Sequence, residues 1–311
     1  MAIRTEQTAP ENMEQAAFAP RRGRVSGRLL PYFLVLPTLL VILAVGIYPM
    51  LDSFWVSILD NPLVFHPNIV GLANYFQVLS DPVFQEALRT TLIFTVISVC
   101  LEMLLGFGVA LLMNRAFAGR GAVRAAILVP WAFPTVVSAQ MWLLMYNDQV
   151  GIITTLLQRM HLLAPGATML GSSQGVLLAS LITDIWKTTP FAALLLLAGL
   201  QVIPSSLYEA ASIDGANRWQ QLWRITLPML KSQLLVVLLF RTLDAIRVFD
   251  LFYVFGGQSV PSLASYANLK MFAGTPGDFA PGVATAVLVF LIGVVISLVL
   301  VSMMRETIKR A

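Results

Sequence analysis

Cysteine is almost missing from this chain of 311 residues: Cys100 stands alone, inside an apolar run, which excludes a disulfide framework and any paired-thiol redox motif. Histidine is nearly as scarce. His66 and His161 have no second ligand at metal spacing and read as solvated loop residues, so no metal set is expected. No serine or cysteine has a plausible base beside it, and no catalytic residue is assigned. None of the four lysines follows a glycine, which excludes a phosphate-binding P-loop; ATP and its Mg, if the work requires them, sit on another subunit. Charge is short too. Only 12% of residues are charged, against about 25% in an ordinary soluble domain.

What fills the space is apolar. Hydrophobic residues make up 58% of the chain and the mean hydropathy is +0.79. They come in six blocks, 29–51, 90–113, 125–146, 176–200, 232–255 and 282–304, each near or above the ~20 residues needed to cross a bilayer. Lipid offers no partner to a bare backbone group, so such spans are helices, and the expected class is an all-α integral membrane protein. Fourteen of the twenty Lys and Arg fall in the N-terminal tail, the second-to-third and fourth-to-fifth connections and the C-terminus. The positive-inside rule places those segments, and both termini, in the cytoplasm. The +4 formal charge therefore reflects orientation in a bilayer, not a nucleic-acid surface. The expected layout is a disordered cytoplasmic tail at 1–28, a first span at 29–51, an extracytoplasmic loop at 52–88, a five-span core at 89–304 and a cytoplasmic end at 305–311. Tyr48, Trp55, Trp131 and Tyr146, near span ends, are expected to be interfacial anchors.

Between the fourth and fifth blocks lies a polar insert, 204–228. Ser206 with Glu209 three residues on forms a capping-box pattern, so a helix is expected to begin near Ser206. Asp214-Gly215 supplies a left-handed turn that ends it. A second helix leads to Pro228, expected to open the next span at its first turn. The result is a helix–turn–helix elbow.

The pattern Glu-Ala-Ala, three residues, Gly, nine residues, Ile-x-Leu-Pro is met by Glu209, Ala210, Ala211, Gly215, Ile225, Leu227 and Pro228. It resembles the EAA loop of ATP-binding-cassette importer permeases. The stretches "FLVLPTLLVILAVGIYPML", "GRGAVRAAILVPWAFPTVVSAQMW" and "DIWKTTPFAALLLLAGLQVIP" extend the likeness to maltose/trehalose-type sugar permeases over nearly the whole chain. One departure is Phe255-Gly256-Gly257-Gln258-Ser259, where that family usually has Thr-Gly-Gly-Gly-Pro. The resemblance implies a six-span type I importer permease in a bacterial inner membrane, not an enzyme. A second related permease completes the pore, two ATP-binding subunits sit beneath, and an extracytoplasmic solute-binding protein delivers the sugar or polyol. Glu209, Ala210, Ala211, Asp214 and Gly215 would then form the coupling helix that docks on the ATPase. The rivals are a permease for glycerol phosphate or another polar solute and, in a different class, a stand-alone secondary transporter.

Charges inside spans are costly, about 2.5–3.5 kcal/mol each on insertion scales, and point to function. Asp184 and Lys187 lie in the fourth block, and Arg241, Asp244, Arg247 and Asp250 in the fifth. Counted from the extracytoplasmic ends of two antiparallel helices, Asp184 matches Arg247 in depth and Lys187 matches Asp244. Two interhelical pairs, Lys187–Asp244 and Asp184–Arg247, are therefore expected along the translocation path. They serve either as helix glue or as sugar contacts. The resemblance adds Thr188, in the stretch that touches sugar in related permeases, along with Arg241, Asp244 and Ala245. The six charges sum to zero, which favours a neutral polyol or glucoside over an anion. Glu102, alone in the second block, has either another span or the partner permease as its counterpart.

Overall fold

The computed structural model describes residues 30–164, 166–257 and 259–310. The expected tail at 1–28 and Gln258 lie outside them. The chain divides into two compact units after Asp52, and the first holds most of an apolar helix, α1 (Pro31–Val56).

The second unit is helical, with a single isolated bridge, Leu59 to Ile69, among the described residues. Its helices are α2 (Ala73–Ser80), α3 (Pro82–Asn114), α4 (Arg120–Ala132), α5 (Thr135–Met145), α6 (Ile152–Arg159) and α7 (Ser173–Val202). They continue as α8 (Ser205–Ile213), α9 (Arg218–Met229), α10 (Lys231–Ala245), α11 (Asp250–Gly256), α12 (Leu263–Phe272) and α13 (Phe279–Arg310). Among the described residues, four helical stretches are long and apolar enough to cross a bilayer unbroken: α1, α3, α7 and Pro276–Arg305. Two bent pairs, α4 with α5 and α9 with α10, raise the number to six if each counts as one span.

The long helices start where local chemistry allows. Asp81 caps α3 by accepting from the Val83 N–H, and Pro82 occupies the first turn, where no N–H is missed. Ser172 caps α7 through the Gly175 N–H. These two helices pack side by side at the centre. A Cβ placed on Gly106 would lie 2.9 Å from Ala192 Cβ and 3.2 Å from the Ala193 nitrogen. Small residues therefore set the approach of the two backbones.

Two expected spans are not single helices. The 125–146 stretch bends by 90° at Phe133-Pro134. The proline ring pushes Phe133 into extended backbone (ψ 141°), which no helix tolerates. The 232–255 stretch breaks between Ala245 and Asp250, although no glycine or proline marks the place. A distant side chain takes up a carbonyl at this break: Ser262 Oγ donates to Val248 O at 2.6 Å. Tyr146 is also not where expected. It is fully buried, donating to Ala179 O at 3.2 Å in a core with Phe94, Phe252 and Phe255, because the bend turns it inward.

A second charged group joins helix ends. Tyr266 Oη donates to Asp81 at 2.6 Å, and Lys270 pairs with Asp81 at 3.6 Å and Asp278 at 3.0 Å. Burial works against ionisation of Asp81, but the hydrogen bonds from Tyr266 and Val83 and the nearby Lys270 outweigh it. They hold its carboxyl below the usual aspartate value.

Candidate functional site

The close contact at Gly106 determines what happens one turn earlier on α3. Glu102, four residues before it, faces α7 with no solvent exposure. Its Oε1 accepts from Thr188 Oγ1 at 2.5 Å and Arg241 Nη2 at 3.0 Å, and its Oε2 from Arg241 Nε at 2.5 Å. Asp184 Oδ2 lies 3.2 Å from the same Nη2. Ser98 Oγ stands between the carboxylates, 2.8 Å from Glu102 and 2.6 Å from Asp184, and its one proton serves them in turn. Arg241 thus joins α3, α7 and its own helix, since Nη1 also donates to Asp244 at 2.6 Å. A guanidinium suits such a junction because it carries five donors in a fixed fork and stays charged.

Neither expected interhelical pair forms. The depth count assumed one straight helix through 255, and the break after Ala245 takes Arg247 off that helix. Arg247 is largely exposed, and among the described residues it pairs only with Asp244, at 3.8 Å on the same chain segment. Arg241 takes the place beside Asp184, and Glu102 finds its counterpart within this chain. Lys187 has no ion pair or hydrogen bond among the described residues. Yet it is only 7% exposed, and it lines a cavity of about 310 Å³.

That cavity lies at the break in the fifth stretch. Its wall comprises Asp184, Lys187 and Thr188 from α7, Asp244 and Ala245 from α10, residues 247–249 of the connection, Asp250 and Leu251 from α11, Phe94 from α3 and Thr135 from α5. Its size falls at the lower end of small-molecule sites, roughly 300–1,000 Å³. Of the expected path residues, Asp184, Lys187, Thr188, Asp244 and Arg247 line it, while Arg241 stands behind it. Sequence reasoning missed Ser98 and did not place Glu102. The signal was the 98/102 spacing of one helical turn beside the single charge of the second block.

The elbow forms, by other means than expected. α8 begins one residue early, at Ser205, after Pro204 as the residue before the helix. Ser206 is then already inside the helix and caps nothing, so the Ser206–Glu209 box is absent. The box forms instead at Asn217 and Gln220, each side chain accepting from the other's N–H at 2.9 Å. Gly215 makes the turn at φ +80°, and the Ala216 N–H closes it on Ala211 O at 2.8 Å. Pro228 does not open the next span. It lies within α9, and the 65° bend falls after Met229. Glu209, Ala210, Asp214 and Gly215 are exposed, with Ala211 half-buried. Tyr208 Oη and Thr226 Oγ1, 3.0 Å apart, tie the two arms together.

Comparison with known proteins gives this geometry a setting. Residues 102–307 match the family described as binding-protein-dependent transport system inner membrane component. The chain is 43% identical over 266 residues to the trehalose/maltose transport system permease protein MalF of Thermococcus litoralis, covering 85% of this chain and 89% of that one. It is 39% identical over 287 residues to the trehalose transport system permease protein SugA of Mycobacterium tuberculosis, covering 90% and 89%. A crystal structure of a bacterial ABC transporter involved in the import of the acidic polysaccharide alginate has the same fold, with a TM-score of 0.76 at 22% identity over 89% of this chain and 95% of that one. The fold is that of type I ABC-importer permeases, and the chain belongs to the binding-protein-dependent transport system inner membrane components.

Proposed function

We propose that this chain is one pore-forming subunit of an ATP-driven importer and moves a neutral sugar, glucoside or polyol inward by alternating access. The observation that carries the substrate class is the mixed wall of the cavity beside Arg241, in a chain 43% identical to a trehalose/maltose permease. Lys187 and Arg247 present donors, and Asp244 and Asp250 present acceptors. A hydroxyl-rich ligand both gives and takes hydrogen bonds, so such a wall suits it. With Glu102 and Asp184 included, four carboxylates stand against Lys187, Arg241 and Arg247, a balance unfavourable to an anion.

In this reading Asp184, Lys187, Thr188, Asp244 and Arg247 border the path, and Arg241 holds α3, α7 and α10 as one body behind it. The elbow docks on an ATP-binding subunit through Glu209, Ala210, Ala211, Asp214 and Gly215. A second permease, two ATP-binding subunits carrying ATP and Mg, and an extracytoplasmic solute-binding protein complete the assembly. Both termini and the elbow face the cytoplasm of a bacterial inner membrane, and the boundaries expected from the sequence divide tail, spans and loop.

The test is transport by the reconstituted assembly with its solute-binding protein, whose ligand is found by a thermal-shift screen. Lys187→Met and Asp244→Asn should raise the KM for the transported sugar while ATP hydrolysis remains. Uptake without any co-purifying ATPase, or an unchanged KM in both variants, would overturn the reading.

A further inference from the structure

We propose that Trp219 and Trp223 form a membrane-interface anchor, seating α9 in the headgroup layer of the bilayer at the elbow's end of α10. The two indoles are the large apolar side chains most out of place on this helix. They are 66% and 56% exposed, and they hold each other edge to face with ring centroids 5.8 Å apart. A pair of exposed tryptophans costs free energy in water. In the headgroup layer the ring body finds apolar contact and the indole N–H a polar partner, which is why tryptophan is enriched there.

Three further observations commit the face to lipid. First, α9 runs directly into the apolar α10 with only Leu230 between them, so it starts at the membrane boundary by covalent continuity. The bend between them is 65°; if α10 stands along the bilayer normal, α9 lies about 25° from the membrane plane. That is the attitude of an interfacial helix. Second, Arg218 and Arg224 each sit one residue from an indole, about 100° around the helix. Both are exposed, neither has an ion pair among the described residues, and α9 contains no Asp or Glu. Their charge is complementary to anionic phospholipid, with the arginine stems reaching to the phosphates. Third, the other arm differs in character. α8 and the turn after it carry the exposed acids Glu209 and Asp214 and no base, which anionic headgroups repel. The two arms therefore have different partners: α9 the bilayer and α8 the ATP-binding subunit. The lipid assignment rests on the proposed function only for which leaflet is involved.

Brominated phospholipids read this directly. The full chain, assembled with its ATP-binding subunits, is reconstituted in phosphatidylcholine–phosphatidylglycerol vesicles with Trp55, Trp131, Trp142 and Trp186 replaced by Phe. The expected result is a loss of Trp219 and Trp223 fluorescence with bromines high on the acyl chain, a smaller loss with bromines near its end, and little loss with aqueous iodide. Quenching by iodide and not by bromine overturns the anchor. So does bromine quenching that appears only after the ATP-binding subunits are stripped, since those subunits then cover the indoles. If the four replacements prevent folding, a nitroxide at Trp219→Cys or Trp223→Cys in a Cys100→Ser chain answers the same question. Greater access to oxygen than to an aqueous nickel chelate supports the anchor, and the reverse overturns it. Failure of any ATPase to co-purify would count against the proposed function and leave the lipid assignment standing.

Discussion

The Arg241 cluster and the elbow handle polarity in opposite ways. In the cluster, side chains from residues 98, 102, 184, 188 and 241 converge from three helices, and Glu102 and Arg241 are shut away from solvent. In the elbow, the hydrogen bonds that close the turn and cap its second arm join residues at most five apart, those between the arms reach nine and eighteen, and most of the surface is exposed. A buried charge network stands or falls with the packing around it, since each group lacks water as a fallback. A local turn survives changes elsewhere but depends on one residue's backbone freedom. The first suits a rigid wall beside a cavity, and the second a part that is gripped and moved.

The sharpest way to break this contrast is Arg241→Met, which leaves Glu102 and Asp184 facing each other without a counter-ion. Removing one partner of a buried pair typically costs about 3–5 kcal/mol. Thermal unfolding in detergent should show a large drop, partly restored in the Arg241→Met, Glu102→Gln double variant. Next comes Gly106→Val. Its side chain meets Ala192 Cβ and the Ala193 backbone, which cannot turn aside, so overpacking should cost about 1–3 kcal/mol in the same assay.

The elbow should answer differently. Gly215→Ala meets no neighbour within 4 Å but forces an L-residue to φ +80°, a strain of about 1–2 kcal/mol confined to the turn. Thermal stability of the spans should hardly change, whereas ATP hydrolysis driven by the loaded solute-binding protein should fall. Equal losses in both assays would show that the elbow is part of the core.

The Asp81–Lys270 group tests the middle ground, being charged but only partly buried. The folded carboxyl is held below the usual value near 4, so its contribution is complete above that pH and is lost as pH falls through the lowered value. Asp81→Asn should therefore lower the melting temperature at pH 7 by the equivalent of less than about 1 kcal/mol, with the gap closing as the pH falls below 4.

Legibility followed the reach of the forces. The Gly215 turn was readable because glycine's backbone freedom is a property of the residue itself, and Phe133-Pro134 carried a bend signal that the hydropathy of 125–146 concealed. Ser206–Glu209 and Asn217–Gln220 are similar capping patterns, and the start of α8 at Ser205 leaves the former inside the helix. The break after Ala245 left no mark in the residues around it, because the carbonyl it frees is taken up by Ser262, fourteen positions away. Depth counted along one straight helix therefore pairs the wrong charges.

By itself, then, the sequence determined that this chain is a bundle of apolar helices with an elbow at 204–228 and costly charges in its later spans. Those features follow from transfer free energies and backbone preferences that each segment carries alone. Only the tertiary structure decided which carboxylates share Arg241, that Lys187 lines the cavity, and that Tyr146 turns inward. Each of these depends on how closely α3 and α7 approach at Gly106 and on where the fifth stretch breaks, distances that no single segment contains.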